Sequence, residues 1–300
     1  MIINKTGKIV DNLYKLGDEG VPVYLLDGDP PAIFDAGYSI LGKLYVKEIQ
    51  KILGSRHPAY CFISHSHFDH CGAVARFKKS FPSLQIVSSE KAKRIFCRPN
   101  AIKLIQKLSL SAEPYISKPG IDPLMYDSFE TFEINQTVKD EDRLVLSPGI
   151  TVRVIETPGH TRDCLSYYIP EKKVLFSSEA IGIADQSGYI SSSFLVDYDM
   201  YFESMKKLSH LELEVICLGH GYVYTGEDAR RYIPNAILSC ENFFNLIKRC
   251  LVKENGDLNK VKSRIKKIEY DGKEMVQPEP AYLLNLEASI KAVKKKMRGK

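Results

Sequence analysis

The sequence predicts an α/β protein in which two β-sheets are covered by helices. Three observations support this fold class. The chain has 300 residues, enough for one large domain or for a catalytic domain with a smaller appendage. Its composition, 44% hydrophobic and 26% charged, is that of an ordinary globular protein. Short strand-type runs alternate with segments whose apolar residues recur at helical spacing, which is typical of layered α/β folds.

The first half of the chain begins with strands and continues with alternating helices and strands. Residues 8–36 contain three strand-type runs, separated by glycine, aspartate and proline. The next predicted elements are, in order, a helix, a strand, a helix and a strand, over Ser39–Leu53, Ala59–Ser64, Gly72–Phe81 and Leu84–Ser88. Residues 89–128 are mainly helical and then irregular, a pattern typical of an insertion over a site.

Strands return in the second half and are followed by helices. The strand-type runs are RLVLSPG, TVRVIETPG, CLSYYIP, KVLFSSE and EVICLGH, with a helix predicted over Tyr198–Leu211 before the last of them. Residues 226–300 have a helical pattern with breaks near Asn255–Asp257 and Asp271–Pro280. We therefore expect a main domain over residues 1–225 and a helical C-terminal extension that packs over the site. Periodicity alone does not fix the strand order.

Composition argues against several protein classes. The N-terminus lacks the features of a secretory signal, and apolar runs are far shorter than the ~18 residues of a membrane helix, so we expect a cytoplasmic protein with no membrane partner. The seven cysteines form no CxxC and indicate a reducing compartment. The net charge is +5, but the last ten residues carry six basic and no acidic side chains. The main body is close to neutral, which argues against a nucleic-acid partner.

The segment HSHFDH, residues 65–70, directly follows a predicted strand. Three histidines and an aspartate within six residues are too dense for a structural explanation, since the chain has only 7 histidines. Imidazole and carboxylate are ligands for divalent metals such as zinc, iron, manganese and cobalt. A strand end holds such side chains on a rigid support. The segment therefore predicts a metal site.

Two further histidines follow predicted strands and lie beside glycine. His160 lies in TPGHT after VRVIE, and His220 lies in LGHG after EVIC. Glycine lets the backbone turn tightly and aim a ligand. Glu179 ends the run KVLFSSE, where its carboxylate either bridges two metals or is an exposed acid; the residues leave both interpretations open. The two other histidines, His57 and His210, are interpreted as surface or helix-end residues.

In their order, these four motifs resemble the metallo-β-lactamase superfamily of hydrolases over roughly residues 8–225. The resemblance implies an αββα sandwich with a dinuclear site at one edge of its two sheets. It implies two divalent ions, zinc or iron, with manganese as a further candidate. The ligands that it implies are His65, His67 and His160 for one metal, Asp69, His70 and His220 for the other, and Glu179 as the bridging carboxylate.

The chain departs from the family pattern at two places. The family normally has a Gly-Asp pair where this chain has Ser178-Glu179, which leaves the number and identity of the metals open. The usual GHTPGS is GHTRDC here, residues 159–164.

Within the superfamily the chain most resembles the quinolone-signalling thioesterase-like proteins. The shared features are the opening LYKLGDEGVPVYLLDGDPPAIFDAG, the segment SHSHFDHCG and the helical C-terminal tail. This resemblance implies a thioester or ester substrate, C-terminal helices that partly close the pocket, and a homodimer. Tyr282 and Asn285 lie where the tail helix of that group reaches the pocket. Tyr222, just past His220, is either a substrate contact or a packing residue.

The predicted function is metal-dependent hydrolysis of a small-molecule thioester, ester or lactone. A metal-bound hydroxide would attack the carbonyl carbon, and Asp69 would orient it or receive its proton. Asp35, at the end of the run PAIFD, and Thr161 are candidates to orient the ligand histidines, although Asp35 is equally a turn residue.

Two other classes remain open. A mononuclear iron oxygenase-type enzyme would use a similar ligand set, and the change to Glu179 suits a single metal. A non-catalytic signalling or binding protein that retains the metal site would account for the long helical tail. Flavo-diiron proteins are a weaker match, because they have HxExDH where this chain has His67, and because we expect no room for their flavodoxin domain.

Overall fold

The computed structural model describes residues 1–116, 127–271 and 278–299. Two seven-stranded sheets pack face to face, with one hydrophobic cluster between them and one on the outer face of each. Helices cover both outer faces. The predicted αββα sandwich is therefore confirmed.

The first sheet is built from the N-terminal half, and its strands lie side by side in chain order. After β1 (Ile2–Ile3), which pairs in the other sheet, its strands are β2 (Gly7–Val10), β3 (Leu13–Gly17), β4 (Pro22–Leu26), β5 (Ala32–Phe34), β6 (Tyr60–Phe62), β7 (Gln85–Ser89) and β8 (Gln136–Val138). Strands β2 to β5 are antiparallel, and β5 to β8 are parallel. The first of the three strand-type runs predicted in residues 8–36, IVDNLYKLG, is not one strand but a hairpin of β2 and β3, because Asp11 adopts a left-handed conformation with φ of 39°.

The second sheet has the order β1-β16-β15-β12-β11-β10-β9. Its remaining strands are β9 (Arg143–Ser147), β10 (Ile150–Glu156), β11 (Leu165–Ile169), β12 (Val174–Ser178), β15 (Val215–Leu218) and β16 (Val223–Thr225), with a separate hairpin of β13 (Ile183–Ala184) and β14 (Ile190–Ser191). All pairs in this sheet are antiparallel except β12 with β15. That parallel pair brings the ends of KVLFSSE and EVICLGH to the same edge.

Helices from the first half cover the first sheet. They are α1 (Gly42–Leu53), α2 (Phe68–Cys71), α3 (Val74–Ser80), α4 (Glu90–Phe96) and α5 (Pro99–Ile116). In α1 the buried residues Tyr45, Val46, Ile49 and Leu53 form the apolar stripe that the sequence predicts. The predicted helix 72–81 is observed as α3, which starts at Val74 and is preceded by the separate turn of α2. Within residues 89–128 the described helices are α4 and α5, and residues 117–126 lie outside the described part; that this segment is an insertion over the site stays a prediction.

The second sheet is covered by α6 (Tyr198–Ser209), α7 (Glu227–Lys253), α8 (Leu258–Glu269) and α9 (Glu279–Arg298). Helix α6 begins where the Asp197 side chain accepts a 3.1 Å hydrogen bond from the Met200 amide, and Asp257 caps α8 in the same way. The four helices share one hydrophobic cluster with the sheet. The predicted break near 255–257 is confirmed; most of the predicted break at 271–280 lies in residues 272–277, outside the described part.

Aromatic packing fixes how the two sheets meet. Phe34 of β5 stacks on Phe176 of β12, with ring centroids 3.7 Å apart, and Tyr167 of β11 packs against Phe62 of β6. These contacts bring the ends of β5 and β6 close to the end of β12, where the histidine-rich segments begin. Within the described residues, no helix has both the length and the apolar character needed to cross a membrane.

Candidate metal centre

The HSHFDH segment lies between β6 and α2. His65 is fully buried on the loop directly after β6, and His67 precedes the first residue of α2 with extended backbone. Asp69 and His70 occupy the single turn of α2, where His70 is fully buried. The short helix therefore places these two side chains beside His65 and His67. The ring centroid of His65 lies 4.5 Å from the ring centroid of His67 and 4.5 Å from that of His70.

His160 enters from the loop between β10 and β11. This loop requires glycine at position 159, whose φ is 132° and whose added Cβ would lie 2.3 Å from the Cα of Tyr201. The Nδ1 atom of His160 lies 2.8 Å from the carbonyl oxygen of Ser193, to which it donates. Its Nε2 atom lies 3.1 Å from Nδ1 of His67. The tight turn thus brings His160 onto the HSHFDH loop.

Glu179 and His220 follow the two parallel neighbours β12 and β15. Because parallel strands end at the same edge of a sheet, their first loop residues lie side by side. Nε2 of His220 lies 2.9 Å from Oε1 of Glu179, and Nε2 of His70 lies 2.8 Å from the same oxygen. Glu179 is 2% exposed, so the alternative of an exposed strand-end acid is excluded.

The structure brings together all seven predicted metal ligands. They form two groups of side chains whose candidate ligand atoms lie within 4.8 Å of one another: His65, His67, His160 and Glu179 in one, and Asp69, His70 and His220 in the other. Glu179 belongs to the first group and contacts two histidines of the second. The carboxylate therefore lies between the two groups, as a bridging residue would.

Asp35 orients part of this cluster. It follows β5, and its Oδ2 accepts a 2.8 Å hydrogen bond from Nδ1 of His70. Its Oδ1 accepts a 2.8 Å hydrogen bond from the backbone amide of Ser64. These contacts place Asp35 where the predicted orienting role requires it, and the role itself stays a prediction. The same prediction for Thr161 is wrong, since its buried hydroxyl has no hydrogen-bond partner within the described part of the chain.

Several orienting groups were not predicted from the sequence. The hydroxyl of Ser64 lies 3.0 Å from Nδ1 of His65, and the carboxylate of Asp163 accepts a 2.8 Å hydrogen bond from the Ser66 amide. The hydroxyl of Ser178 lies between Ser64 and Glu179. The only available signal was adjacency to a predicted ligand, which is weak because serine is common in loops.

Burial and charge set the protonation of the cluster. Burial lowers the pKa of His65 well below its usual range and that of His160 to about 4, so both imidazoles are neutral at pH 7. Burial alone would raise the pKa of Glu179, but the neighbouring His70, His65 and His160 hold it well below its usual range. Burial would lower the pKa of His70, yet Glu179, Asp35 and Asp69 raise it. The site therefore combines an ionised buried carboxylate with neutral imidazoles at His65 and His160.

These residues fit divalent metal ions. Within the described residues, the buried Nε2 atoms of His65 and His70 have no partner in hydrogen-bond geometry, and both face the Glu179 carboxylate. Buried nitrogen atoms of this kind are normally satisfied, and a metal ion satisfies them. Imidazole and carboxylate ligands suit zinc, iron or manganese.

The residues predicted for the substrate pocket are packed into the protein. Tyr222 is 9% exposed and belongs to the hydrophobic cluster of the second sheet, and Tyr282 stacks near Tyr270 with ring centroids 4.4 Å apart. Asn285 is half-buried on α9. Their contact with substrate stays a prediction. His57 and the helix-end His210 are exposed, as expected.

Comparison with known proteins agrees with this arrangement. The family model described as the metallo-β-lactamase superfamily matches residues 16–220. A hydroxyacylglutathione hydrolase of Haemophilus influenzae is 28% identical over 172 residues, which cover 56% of this chain and 71% of that protein. A diflavin flavoprotein of Synechocystis is 22% identical over 230 residues, 70% of this chain. The chain spans only about a third of the length of that flavoprotein, with 35% covered.

A solved structure has the same fold. The metallo-β-lactamase family protein of Thermus thermophilus superposes with a TM-score of 0.63 at 16% sequence identity, covering 95% of this chain and 94% of that one. At this identity the superposition is informative about the fold alone.

Proposed function

Because the chain belongs to the metallo-β-lactamase superfamily, we propose that it is a metal-dependent hydrolase of a thioester, ester or lactone carbonyl with a dinuclear site. The observation that carries the proposal is the position of Glu179. Its carboxylate belongs to the first group of candidate ligands, with His65, His67 and His160. Its Oε1 also lies 2.8 Å from Nε2 of His70 and 2.9 Å from Nε2 of His220, which belong to the second group. A carboxylate that served the first group alone would not need to contact these two histidines.

The proposed assignment gives each group one metal. His65, His67 and His160 would hold the first, Asp69, His70 and His220 the second, and Glu179 both. When bound, divalent cations would make a water molecule more acidic and stabilise negative charge on the substrate oxygen. The protein's part is to fix the ligands: Asp35 holds Nδ1 of His70, the Ser193 carbonyl holds Nδ1 of His160, and the Gly20 carbonyl lies 3.2 Å from Nδ1 of His220.

Asp69 is proposed to be a catalytic residue as well as a metal ligand. Its Oδ2 lies 3.7 Å from Nε2 of His220 and 4.0 Å from Nε2 of His70, so one face of the carboxylate adjoins the second group. A carboxylate placed there orients a water molecule or accepts its proton. A thiolate leaving group would need little help from an acid, which favours a thioester within this substrate class. The name of one relative, hydroxyacylglutathione hydrolase, likewise describes hydrolysis of a hydroxyacylglutathione.

The C-terminal helices are proposed as the cover of this site. Helices α7 to α9 pack on the second sheet together with α6, and α6 contacts the His160 loop through the close approach of Tyr201 to Gly159. We propose that this helical part, residues 226–300, shapes the entrance for a small acyl substrate.

Elemental analysis of the purified protein and of a Glu179→Ala variant tests the proposal. We expect two metal equivalents in the native protein and one or fewer in the variant. The exposed His57→Ala variant serves as control and should keep both. Two equivalents would justify a screen of thioesters and lactones. At most one equivalent in the native protein, unchanged by Glu179→Ala, would contradict the bridged site.

A mononuclear iron oxygenase-type enzyme is the second candidate, favoured by glutamate at position 179 in place of the family's aspartate. Iron as the single bound metal together with substrate-dependent oxygen uptake would support it. Hydrolysis without oxygen consumption would exclude it.

A further inference from the structure

Ser178 has an unusual backbone conformation for a residue with a side chain. It is the last residue of β12, its φ is 51°, and it is 4% exposed. Left-handed conformations are costly for residues other than glycine, and they persist where surrounding contacts hold them. The parallel pairing with β15 also shifts register between Phe176 and Ser178. The strand end is therefore held in a strained turn that places the serine side chain inside the metal centre.

The Ser178 hydroxyl connects three groups of that centre. It donates a 2.5 Å hydrogen bond to Oε2 of Glu179. It also lies 3.0 Å from Oγ of Ser64 and 3.3 Å from Nδ1 of His65. Ser64 in turn donates to Oδ2 of Asp35 over 3.0 Å. The two adjacent hydroxyls thus lie between the two buried carboxylates, Asp35 and Glu179, and each contacts one of them.

The hydroxyl protons of Ser64 and Ser178 can be assigned by counting donors and acceptors. A carboxylate only accepts, so each serine gives its single hydroxyl proton to the carboxylate beside it. Ser64 Oγ is then free to accept, and Nδ1 of His65 at 3.0 Å is the donor in reach. A histidine that binds a metal carries one N–H, so with Nδ1 donating to Ser64 the free nitrogen of His65 is Nε2. This nitrogen lies 3.8 Å from Oε2 of Glu179.

The hydrogen bond from Ser178 also gives the two oxygens of Glu179 different roles. Oε2 is occupied by the hydroxyl, while Oε1 faces His70 and His220 at 2.8 Å and 2.9 Å and His160 at 3.9 Å. A glutamate side chain has three rotatable bonds, and fixing them costs conformational entropy unless a contact selects one rotamer. Ser178 supplies that contact from the adjacent position.

We propose that Ser178 is a positioning residue whose hydroxyl holds the Glu179 carboxylate so that Oε1 is the oxygen shared by the two metal-binding groups. This inference rests on the proposed dinuclear function. It concerns the second metal in particular, since the other group keeps His65, His67 and His160 whatever the orientation of Glu179.

Two variants separate positioning from a purely structural role. Ser178→Ala and Ser178→Gly both remove the hydroxyl, but only glycine relieves the left-handed backbone. We therefore expect Ser178→Gly to melt at a higher temperature than Ser178→Ala. If the hydroxyl positions Glu179, both variants weaken the second metal alike despite this difference in stability. If Ser178 matters only for the fold, the less stable variant, Ser178→Ala, should bind the second metal more weakly than Ser178→Gly does.

The experiment is a zinc titration of metal-free full-length protein, followed by calorimetry. It compares the native chain, both Ser178 variants, Glu179→Ala and the double variant Ser178→Ala/Glu179→Ala. We expect two equivalents in the native chain, and a second equivalent at least about tenfold weaker in both Ser178 variants, the usual scale for an orienting partner. The double variant should match Glu179→Ala, because the hydroxyl acts through that carboxylate.

The outcomes distinguish this inference from the proposed function. Two equivalents with unchanged affinity in both Ser178 variants, together with a loss in Glu179→Ala, would overturn the role of Ser178 and leave the dinuclear site standing. An equal weakening by Ser178→Ala with and without Glu179 would also overturn it. Fewer than two equivalents in the native chain would overturn the dinuclear function and the inference with it.

Discussion

Asp35 accepts a 2.8 Å hydrogen bond from His70, which lies 35 positions later in the chain. Both residues are buried. The contact forms because β5 and β6 are parallel neighbours, so the residue after one and the segment after the other meet at one edge. A buried carboxylate that fixes the ring of a metal-binding histidine makes the ligand more basic and keeps its free nitrogen correctly directed.

Replacing Asp35 with asparagine should therefore weaken metal binding. We expect a loss of roughly 10–100-fold in affinity for the metal held by His70, since the amide no longer accepts strongly from Nδ1. Competition with a chromophoric chelator measures this affinity. The exposed Asp11→Asn is the matched control and should bind as the native chain does. Equal affinities in the two variants would show that Asp35 is only a turn residue.

Gly159→Ala should unfold the His160 loop. The added Cβ would lie 2.3 Å from backbone of Tyr201, and φ of 132° is unfavourable for alanine. We expect unfolding to become easier by at least about 2 kcal/mol, as measured by denaturant titration. Gly188→Ala separates the two causes, because Gly188 also has positive φ, 81°, but has nothing within 4 Å of the added Cβ. It should cost only about 1 kcal/mol. Similar losses in both would rule out the steric explanation.

Lys15→Met should loosen the loop that carries His220. The Lys15 side chain is fully buried, and its ammonium donates to the carbonyl oxygens of Asn4, Glu19 and Gly221. Removing the donor leaves these acceptors poorly satisfied, for an expected loss of about 1–3 kcal/mol in the free energy of unfolding. Urea unfolding measures it, with the exposed Lys8→Met as control. An unchanged midpoint in Lys15→Met would contradict the expectation.

Removal of metal should lower the melting temperature. A metal that binds only the folded chain stabilises it by about 2.7 kcal/mol when its free concentration is 100 times the dissociation constant. We expect a chelator to reduce the melting temperature and added zinc to restore it. The shift should be smaller in Glu179→Ala, which is expected to hold less metal. Identical melting curves with and without chelator would contradict a metal site built from these residues.

The sequence predicted the ligand cluster because each ligand lies at a strand end, where local pattern is informative. HSHFDH after β6, His160 after β10 and His220 after β15 were all recognisable from an apolar run followed by histidine. Two sheets covered by helices followed from the alternation of strands and helices. Resemblance to a known family supplied the αββα sandwich and the pairing of ligands into two groups.

What the sequence could not predict depends on contacts between distant segments. Ser64 and Ser178 are 114 positions apart, and their 3.0 Å contact exists only because two different sheets pack together. The left-handed turn at Asp11 divided a run that looked like one strand. The parallel pairing of β12 with β15, which brings Glu179 to His220, is a matter of strand order, on which periodicity carries no information.

The division of the ligands between the two sheets has a consequence for preparing this protein. His65, His67, Asp69 and His70 follow a strand of the first sheet, and His160, Glu179 and His220 follow strands of the second. Under the proposed assignment, neither half of the chain contains a full ligand set for either ion. Metal binding then requires that the two halves of the chain have packed together, so a sample that binds its full complement of metal has also assembled both sheets.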